Sequence, residues 1–401
     1  MPSISERRRV ASLAVLLTLG CTQTHVVLMF EDAGQPADAS LDTDGAPAPA
    51  TTVSIGWSHG CAISHGALYC WGANAEGNLG TGDTTPHQSP TRVDAATDWQ
   101  AVAVSEHASL ALKRNGSLWA FGANKYGQLG VGDFAAHYTP TRVGERSDWT
   151  AIATRFDHAC ALTGDGGLWC WGRNFEGQLG QNDQAGSSTD RPIPTPVTMA
   201  HDFIQVDAGQ GHSCAIRTNG TLWCWGRNSE AELGQGPNMP IQIRRPVQVG
   251  TATTWQAVQG GQHFTCGLRA GDALCWGSVG DAAIPGGTPG TVIDTPLSIG
   301  APAGIVQISI NTFGGCVVDM TGAAYGWGRN IEGQLGLGDL AVHDTPTLIG
   351  ANGWSQISVG RFTTCGVRNG AVVCMGENHD GQLGLGDLDR RSVPTIVTLP
   401  P

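Results

Sequence analysis

Ten of the twelve cysteines in this 401-residue chain fall into five pairs: Cys61/Cys70, Cys160/Cys170, Cys214/Cys224, Cys266/Cys275 and Cys365/Cys374. Two chemistries suit such pairs. One is disulfide formation. The other is zinc, because His59, His158 and His212 stand two residues before the first cysteine of their pairs. A structural zinc site takes four ligands, and a pair with its histidine supplies three, which favours disulfides. Cys21 and Cys316 stand apart. No phosphate-cradling glycine loop or His-Glu-x-x-His occurs to carry catalysis, and no cofactor is implied.

The elements that must position these pairs repeat along the chain. The third copy runs Trp149-Thr-Ala-Ile, then Asp157-His158-Ala-Cys160, then Leu168-Trp169-Cys170-Trp171-Gly172, and closes Gly177-Gln-Leu-Gly180. The residue before the anchoring glycine is Trp71, Phe121, Trp171, Trp225, Trp276, Trp327 and Met375, at spacings of 50, 50, 54, 51, 51 and 48. A period near 50 with short alternating segments means a propeller or solenoid. The second copy predicts strand A over Trp99–Val104, B over Ser109–Leu112, C over Leu118–Gly122 and a Pro-led D over Thr141–Val143. Turns such as His65-Gly66 and Asn369-Gly370 would close B onto C as hairpins. Each cysteine pair then lies directly opposed across a hairpin, within disulfide reach. The second copy lacks both members (Ser109, Ala120), and the sixth opposes Cys316 with Gly326, leaving an odd thiol.

The recurring Trp-Gly-x-Asn-x-x-Gly-Gln-Leu-Gly, with His-x-x-Ala-Leu upstream, resembles the regulator of chromosome condensation repeat family. The resemblance covers about residues 51–397, and six of seven copies keep the Gly-x-Asn and Leu-Gly of the motif. It implies an all-β fold, a seven-bladed β-propeller of four-stranded antiparallel blades. The fifth copy departs, running Trp276-Gly277-Ser278-Val279 without the Asn and with no Gly-Gln-Leu-Gly between Val279 and Gly287. The family's namesake is a nuclear nucleotide-exchange factor that binds chromatin. That role fits poorly with an acidic chain bearing an export signal.

Composition agrees with a propeller. Glycine is 58 of 401 residues and tryptophan 13, which suits many short strands and tight turns. Lys plus Arg is 22 against 34 Asp plus Glu, so the basic footprint of a nucleic-acid binder is absent. Arg7-Arg8-Arg9 precede an apolar run over residues 10–20, too short to span a bilayer but shaped as a secretory signal. It ends Leu17-Thr18-Leu19-Gly20-Cys21, similar to a bacterial lipobox, which makes Cys21 the expected lipidation site and the lipid the only membrane contact. Residues 21–50, rich in Ala, Asp and Pro and free of Lys and Arg, read as a disordered tether reaching about 30 Å. Export fits disulfides. The expected location is the cell envelope or, with ordinary cleavage, the medium.

Subtracting the repeat leaves nine aromatics without a repeat role. Trp57, Phe156, Phe264, Phe313 and Phe362 fall in A–B turns; Tyr126, Phe134, Tyr138 and Phe175 fall in C–D loops. In a meander both connections emerge on one face of the disc. Arg155 and Arg361 flank two of these aromatics, and Glu106, Asp157 and His263 share the turns. Such a cluster either forms a partner surface or plugs the channel ends. A ring of acids (Glu76, Glu176, Glu230, Glu332, Asp380) on the same face reads as a solvated rim, too dispersed to chelate one ion. The expected function is a non-enzymatic, monomeric binding module for a protein or surface glycan. A lyase or hydrolase at the channel mouth, using Arg155, Asp157 and His263, is the alternative.

Overall fold

A computed structural model describes residues 50–183, 189–280 and 283–400. The expected signal segment, Cys21 and nearly all of the tether lie outside the described residues. Seven four-stranded antiparallel sheets follow one another along the chain. Blade 1 comprises β1 (Ala50–Ile55), β2 (His59–Ser64), β3 (Ala67–Gly72) and β4 (His87–Arg92), its strands A to D from the axis outward. Blades 2 to 7 span 99–142, 149–201, 203–248, 255–298, 305–350 and 354–396.

Local chemistry explains each blade. His65-Gly66 and Asn369-Gly370 both take positive φ at both turn positions, the twist-matched turn of a tight hairpin. Strands A to C are apolar and buried, whereas D is polar and carries proline (Pro90, Pro140, Pro346, Pro394), which blunts an outer edge against further pairing. Strand D of blade 2 runs His137–Arg142, beginning four residues before the expected Thr141. Its pairing is irregular between Gly122↔His137 and Ala120↔Thr141, so alternation could not mark its start.

All five cysteine pairs are bonded. Cys61–Cys70, Cys160–Cys170, Cys214–Cys224, Cys266–Cys275 and Cys365–Cys374 have Cα separations of 4.0–4.1 Å. Each pair occupies directly opposed positions of strands B and C. In every pair both cysteines are buried in the blade core, the strand-C members Cys70, Cys170, Cys224, Cys275 and Cys374 as completely as their partners. Cys316 is buried opposite Gly326, and burial pushes its thiol up to about 12.

Blades join through side chains. The indole Nε1 of one blade donates to a C–D loop carbonyl of the blade before it: Trp171 to Gln128, Trp225 to Gln178, Trp276 to Glu232. Trp71 donates to Gln382 at 2.9 Å and closes blade 1 onto blade 7 without any exchanged strand. In blade 5, Ala283 supplies the carbonyl to Trp327, while Val279 and Ile284 fill the core, so the ring survives the lost motif. The recurring histidines complete these joints. Nε2 of His59, His158 and His212 meets the hydroxyl of Ser109, Ser213 and Thr265 in the next blade, at 3.0, 2.9 and 2.8 Å. Each hydroxyl donates onward to a loop carbonyl, so it accepts from Nε2–H. These histidines are inter-blade fasteners.

Candidate functional site

The A–B turns converge around the channel axis, and their aromatics form a belt across its mouth. Phe156 of blade 3 packs edge-to-face on Trp57 of blade 1 at 5.2 Å. The Arg361 guanidinium lies 4.3 Å from the Trp57 ring and 5.0 Å from Phe362. Phe362 stacks on Phe313 at 5.4 Å, and Arg329 lies over both. Every one of these aromatics is half-buried. They therefore line the mouth and remain accessible from outside, combining the two expected alternatives.

The belt continues outward into a cleft of about 520 Å3 between blades 1, 2 and 3, within the usual range for ligand sites. His107 and Asp157 come from A–B turns, and Glu76, Lys125, Tyr126 and Phe134 from C–D loops, so the two connections share one face as the meander requires. Arg173 pairs with Asp157 at 3.1 Å and lies over the Tyr126 ring. Phe134 is 53% exposed. Its loop is pinned by Asp133, which receives His137 Nε2 and Asn124 Nδ2, while His137 Nδ1 meets Thr141 at 2.9 Å. Asp83-His87-Thr91 and Asp339-His343-Thr347 repeat this arrangement. The Thr141 hydroxyl donates to Thr139, so it is a staple and no activated nucleophile. Tyr138 is exposed over Gly77, where a Cβ would lie 2.2 Å from its ring. Phe175 is exposed at the tip of blade 3.

Several expected site residues lie elsewhere. The disulfides are inside the blades: Cys70, Cys224, Cys275 and Cys374 pack among the same core residues as Cys61, Cys214, Cys266 and Cys365. They brace the scaffold from within and present nothing to a partner. Phe264 opens strand B of blade 5 at the position of the recurring histidine, paired with Gly277 and fully buried. An apolar ring there packs into the core, so Phe264 offers nothing to a partner either. Arg155 is also buried. It crosses the channel and donates to the Ile310 carbonyl of blade 6 at 2.9 Å. Two buried carboxylates flank it, Glu106 and Asp207, and burial pushes both up to about 7 against the pull of Arg155. Asp207 accepts from Gly260 N at 2.7 Å, and Glu106 accepts from Phe156 N. The remaining void, lined also by Thr154 and Asn311, is about 20 Å3, room for a water and no substrate. The channel is thus closed by a charged plug.

The three residues that could have served a mouth enzyme enter three separate networks. Arg155 is in the plug, Asp157 faces the cleft beside Arg173, and His263 pairs with Glu230 at 3.0 Å next to Arg227. The acidic ring is likewise divided, with Glu230 bound to Arg227 and Glu332 facing Arg390. Sequence reading missed Arg173 and Arg329. Their only signal was a variable position, the x of Trp-Gly-x-Asn, which is Ala73, Ala123, Arg173, Arg227, Ser278, Arg329 and Glu377 in turn.

Buried titratable groups predict the pH profile of stability. Burial holds His59, His158 and His212 down to about 3, so the unfolded chain binds their protons first and stability falls as pH drops from about 6.5. Glu106 and Asp207 are raised, so the folded state keeps their protons and stability falls as pH climbs from about 4 through 7. Glu232 is raised and His263 lowered, so these two act in opposite senses. Three histidines against two carboxylates leave a shallow rise to a maximum near pH 6.5, then a decline. Urea unfolding at pH 4.5, 6.5 and 8.5 tests this. The Glu106→Gln/Asp207→Asn double variant should lose the alkaline decline, and a wild-type profile still rising at pH 8.5 would refute it.

With the face described, its relatives can be set beside it. A family model for the RCC1-like domain matches residues 17–280, and one for the regulator of chromosome condensation (RCC1) repeat matches 321–367. The ultraviolet-B receptor UVR8 of Arabidopsis thaliana is 34% identical over 326 residues, 80% of this chain and 62% of that protein. The probable human E3 ubiquitin-protein ligase HERC6 is 31% identical over 153 residues, 37% of this chain and 15% of that protein. The chain thus matches less than two thirds of the length of either relative. Among solved structures, human WBSCR16 superposes with a TM-score of 0.75 at 21% identity, covering 83% of this chain and 94% of that one. Prp20p of Saccharomyces cerevisiae, a structure described with its binding to Gsp1p and histones, gives 0.72 at 18% identity over 87% of each chain. At these identities both show the fold. Repeat, ring and family match agree: this chain is a member of the RCC1-like domain family.

Proposed function

We propose that the protein is a non-enzymatic binding scaffold, exported and held at the cell envelope through a lipid on Cys21, that grips a partner on its aromatic face. The partner is a protein, or a glycan displayed on a surface. The observation that carries this reading is the unbroken track from Phe313 and Phe362 through Arg361 and Trp57 to the cleft at Tyr126 and Phe134. Aromatic and Arg side chains are enriched at binding hot spots. Strand A of blade 1 enters and strand D of blade 7 leaves on the opposite face, because A–B turns and C–D loops occupy this one. A tether ahead of residue 50 therefore leaves the aromatic face free. Prp20p, with its Gsp1p and histone partners, is a precedent for a protein ligand on the same fold.

Affinity capture from envelope extract and culture medium tests the reading, using the full chain against a Trp57→Ser/Phe134→Ser/Phe362→Ser variant of matched stability. A partner held by the parent and lost by the variant is the expected result. Equal capture by both would move the binding surface elsewhere, and capture by neither would reopen an enzymatic role.

A further inference from the structure

Among the seven A–B turns, that of blade 3 is unusual. Phe156 takes φ +50°, and no other side-chain-bearing residue of these turns has a positive φ. A left-handed conformation costs such a residue roughly 1–2 kcal/mol, and where the first central residue of a two-residue hairpin turn alone takes positive φ, it is ordinarily glycine. Something must hold Phe156 there. The amide N–H of Phe156 is bound by the Glu106 carboxylate, which reaches over from the neighbouring A–B turn of blade 2. Glu106 is 3% exposed, so its carboxylate is shut off from bulk solvent. Arg155, the residue immediately before Phe156, is fixed independently by its bond across the channel to Ile310.

The turn is therefore clamped on both sides of one peptide unit. The consequence is seen at the mouth. So placed, the Phe156 ring meets Trp57 at 5.2 Å and 84°, and Trp57 in turn supports Arg361 and touches His107 at the edge of the cleft. We propose that Glu106 is a positioning residue for the binding face: its carboxylate oxygen holds the Phe156 amide, and through it the Phe156–Trp57 pair on which the mouth belt rests. This deepens the proposed function, but its test needs no partner.

The rival is that Glu106 serves only as a counterion to Arg155. The two differ in what Glu106→Gln does, since glutamine keeps an acceptor oxygen and loses the charge. The experiment is 19F NMR of the full chain labelled with 5-fluorotryptophan, the Trp57 line being assigned by its loss in Trp57→Phe. Glu106→Ala should shift the Trp57 line as far as Phe156→Ala does and leave lines from the outer strands, such as Trp119, in place. Glu106→Gln should leave it at the wild-type position. An unmoved Trp57 line in Glu106→Ala overturns the proposal, and so does a Gln variant that moves it as far as Ala.

Should Glu106→Ala fail to fold, amide exchange in the unmodified protein decides the matter. The Phe156 N–H is expected to exchange more slowly than that of Asp157, and rapid exchange overturns the proposal. Loss of partner capture without a change at Trp57, or the reverse, separates failure of this inference from failure of the binding reading.

Discussion

Reducing the five disulfides is expected to unfold the propeller at ordinary temperature. Each joins residues nine or ten apart, and closing so short a loop removes about 2–3 kcal/mol of unfolded-state entropy in the chain-entropy account. The pairs lie in five different blades, far enough apart for their effects to add approximately. Their sum is on the order of 10 kcal/mol, comparable with the roughly 5–15 kcal/mol that holds an ordinary domain together. Circular dichroism in urea, with and without reductant, reads this directly: the midpoint should collapse on reduction. A midpoint that hardly moves would mean that the type of turn at His65-Gly66 and Asn369-Gly370 already keeps the hairpins closed when unfolded. Alkylation of the oxidised native protein should spare Cys316, whose thiol is buried and far above its usual range.

Arg155→Met is the second change with a large expected effect. It removes the cation between Glu106 and Asp207 and leaves the Ile310 carbonyl without its donor. Stripping the partner from a buried charge costs about 3–5 kcal/mol. The loss should be greater at pH 8, where both carboxylates must ionise inside the plug, than at pH 5, where they hold protons. Adding Glu106→Gln and Asp207→Asn should restore much of the stability at pH 8, because no buried charge is then left uncompensated. Urea unfolding of the three proteins at both pH values measures it. An equal loss at pH 5 and pH 8 would show that Arg155 acts through its bond to Ile310 alone, and would remove the carboxylates from the account.

The plug also explains why an aromatic-based reading of the sequence placed Arg155 on the surface. Arg155 and Arg361 occupy neighbouring positions in equivalent turns, and both adjoin a phenylalanine. Arg361 stays at the mouth between Trp57 and Phe362. Arg155, one residue earlier in its turn, faces the axis, where the corresponding residues include Gly56, Gly209 and Gly360. Those glycines are required by crowding: a Cβ on Gly360 would lie 2.2 Å from the Gly56 carbonyl, and one on Gly56 would lie 2.1 Å from that of Ser105. A long side chain at such a position can only run along the channel. Phe264 was misplaced for a similar reason, since a shift of one position turned a core residue of strand B into an apparent loop residue.

Repetition by itself determined most of this protein. A period near 50, the paired cysteines at fixed phase within it and the turn dipeptides at the hairpin centres specify seven alike blades, their internal register and their covalent bonds, because hairpin geometry is local and repeats identically in every copy. That A–B turns and C–D loops share a face followed from the same meander. What only the tertiary structure decided lies where copies differ and meet at the axis. Seven turns converge there from positions separated by whole repeats, so that Glu106, Arg155 and Asp207 find one another, and Trp57 meets Phe156 from two blades away. No periodicity encodes those meetings. They depend on ring closure, on the loss of solvent inside a narrow channel, and on which single side chain is long enough to cross it.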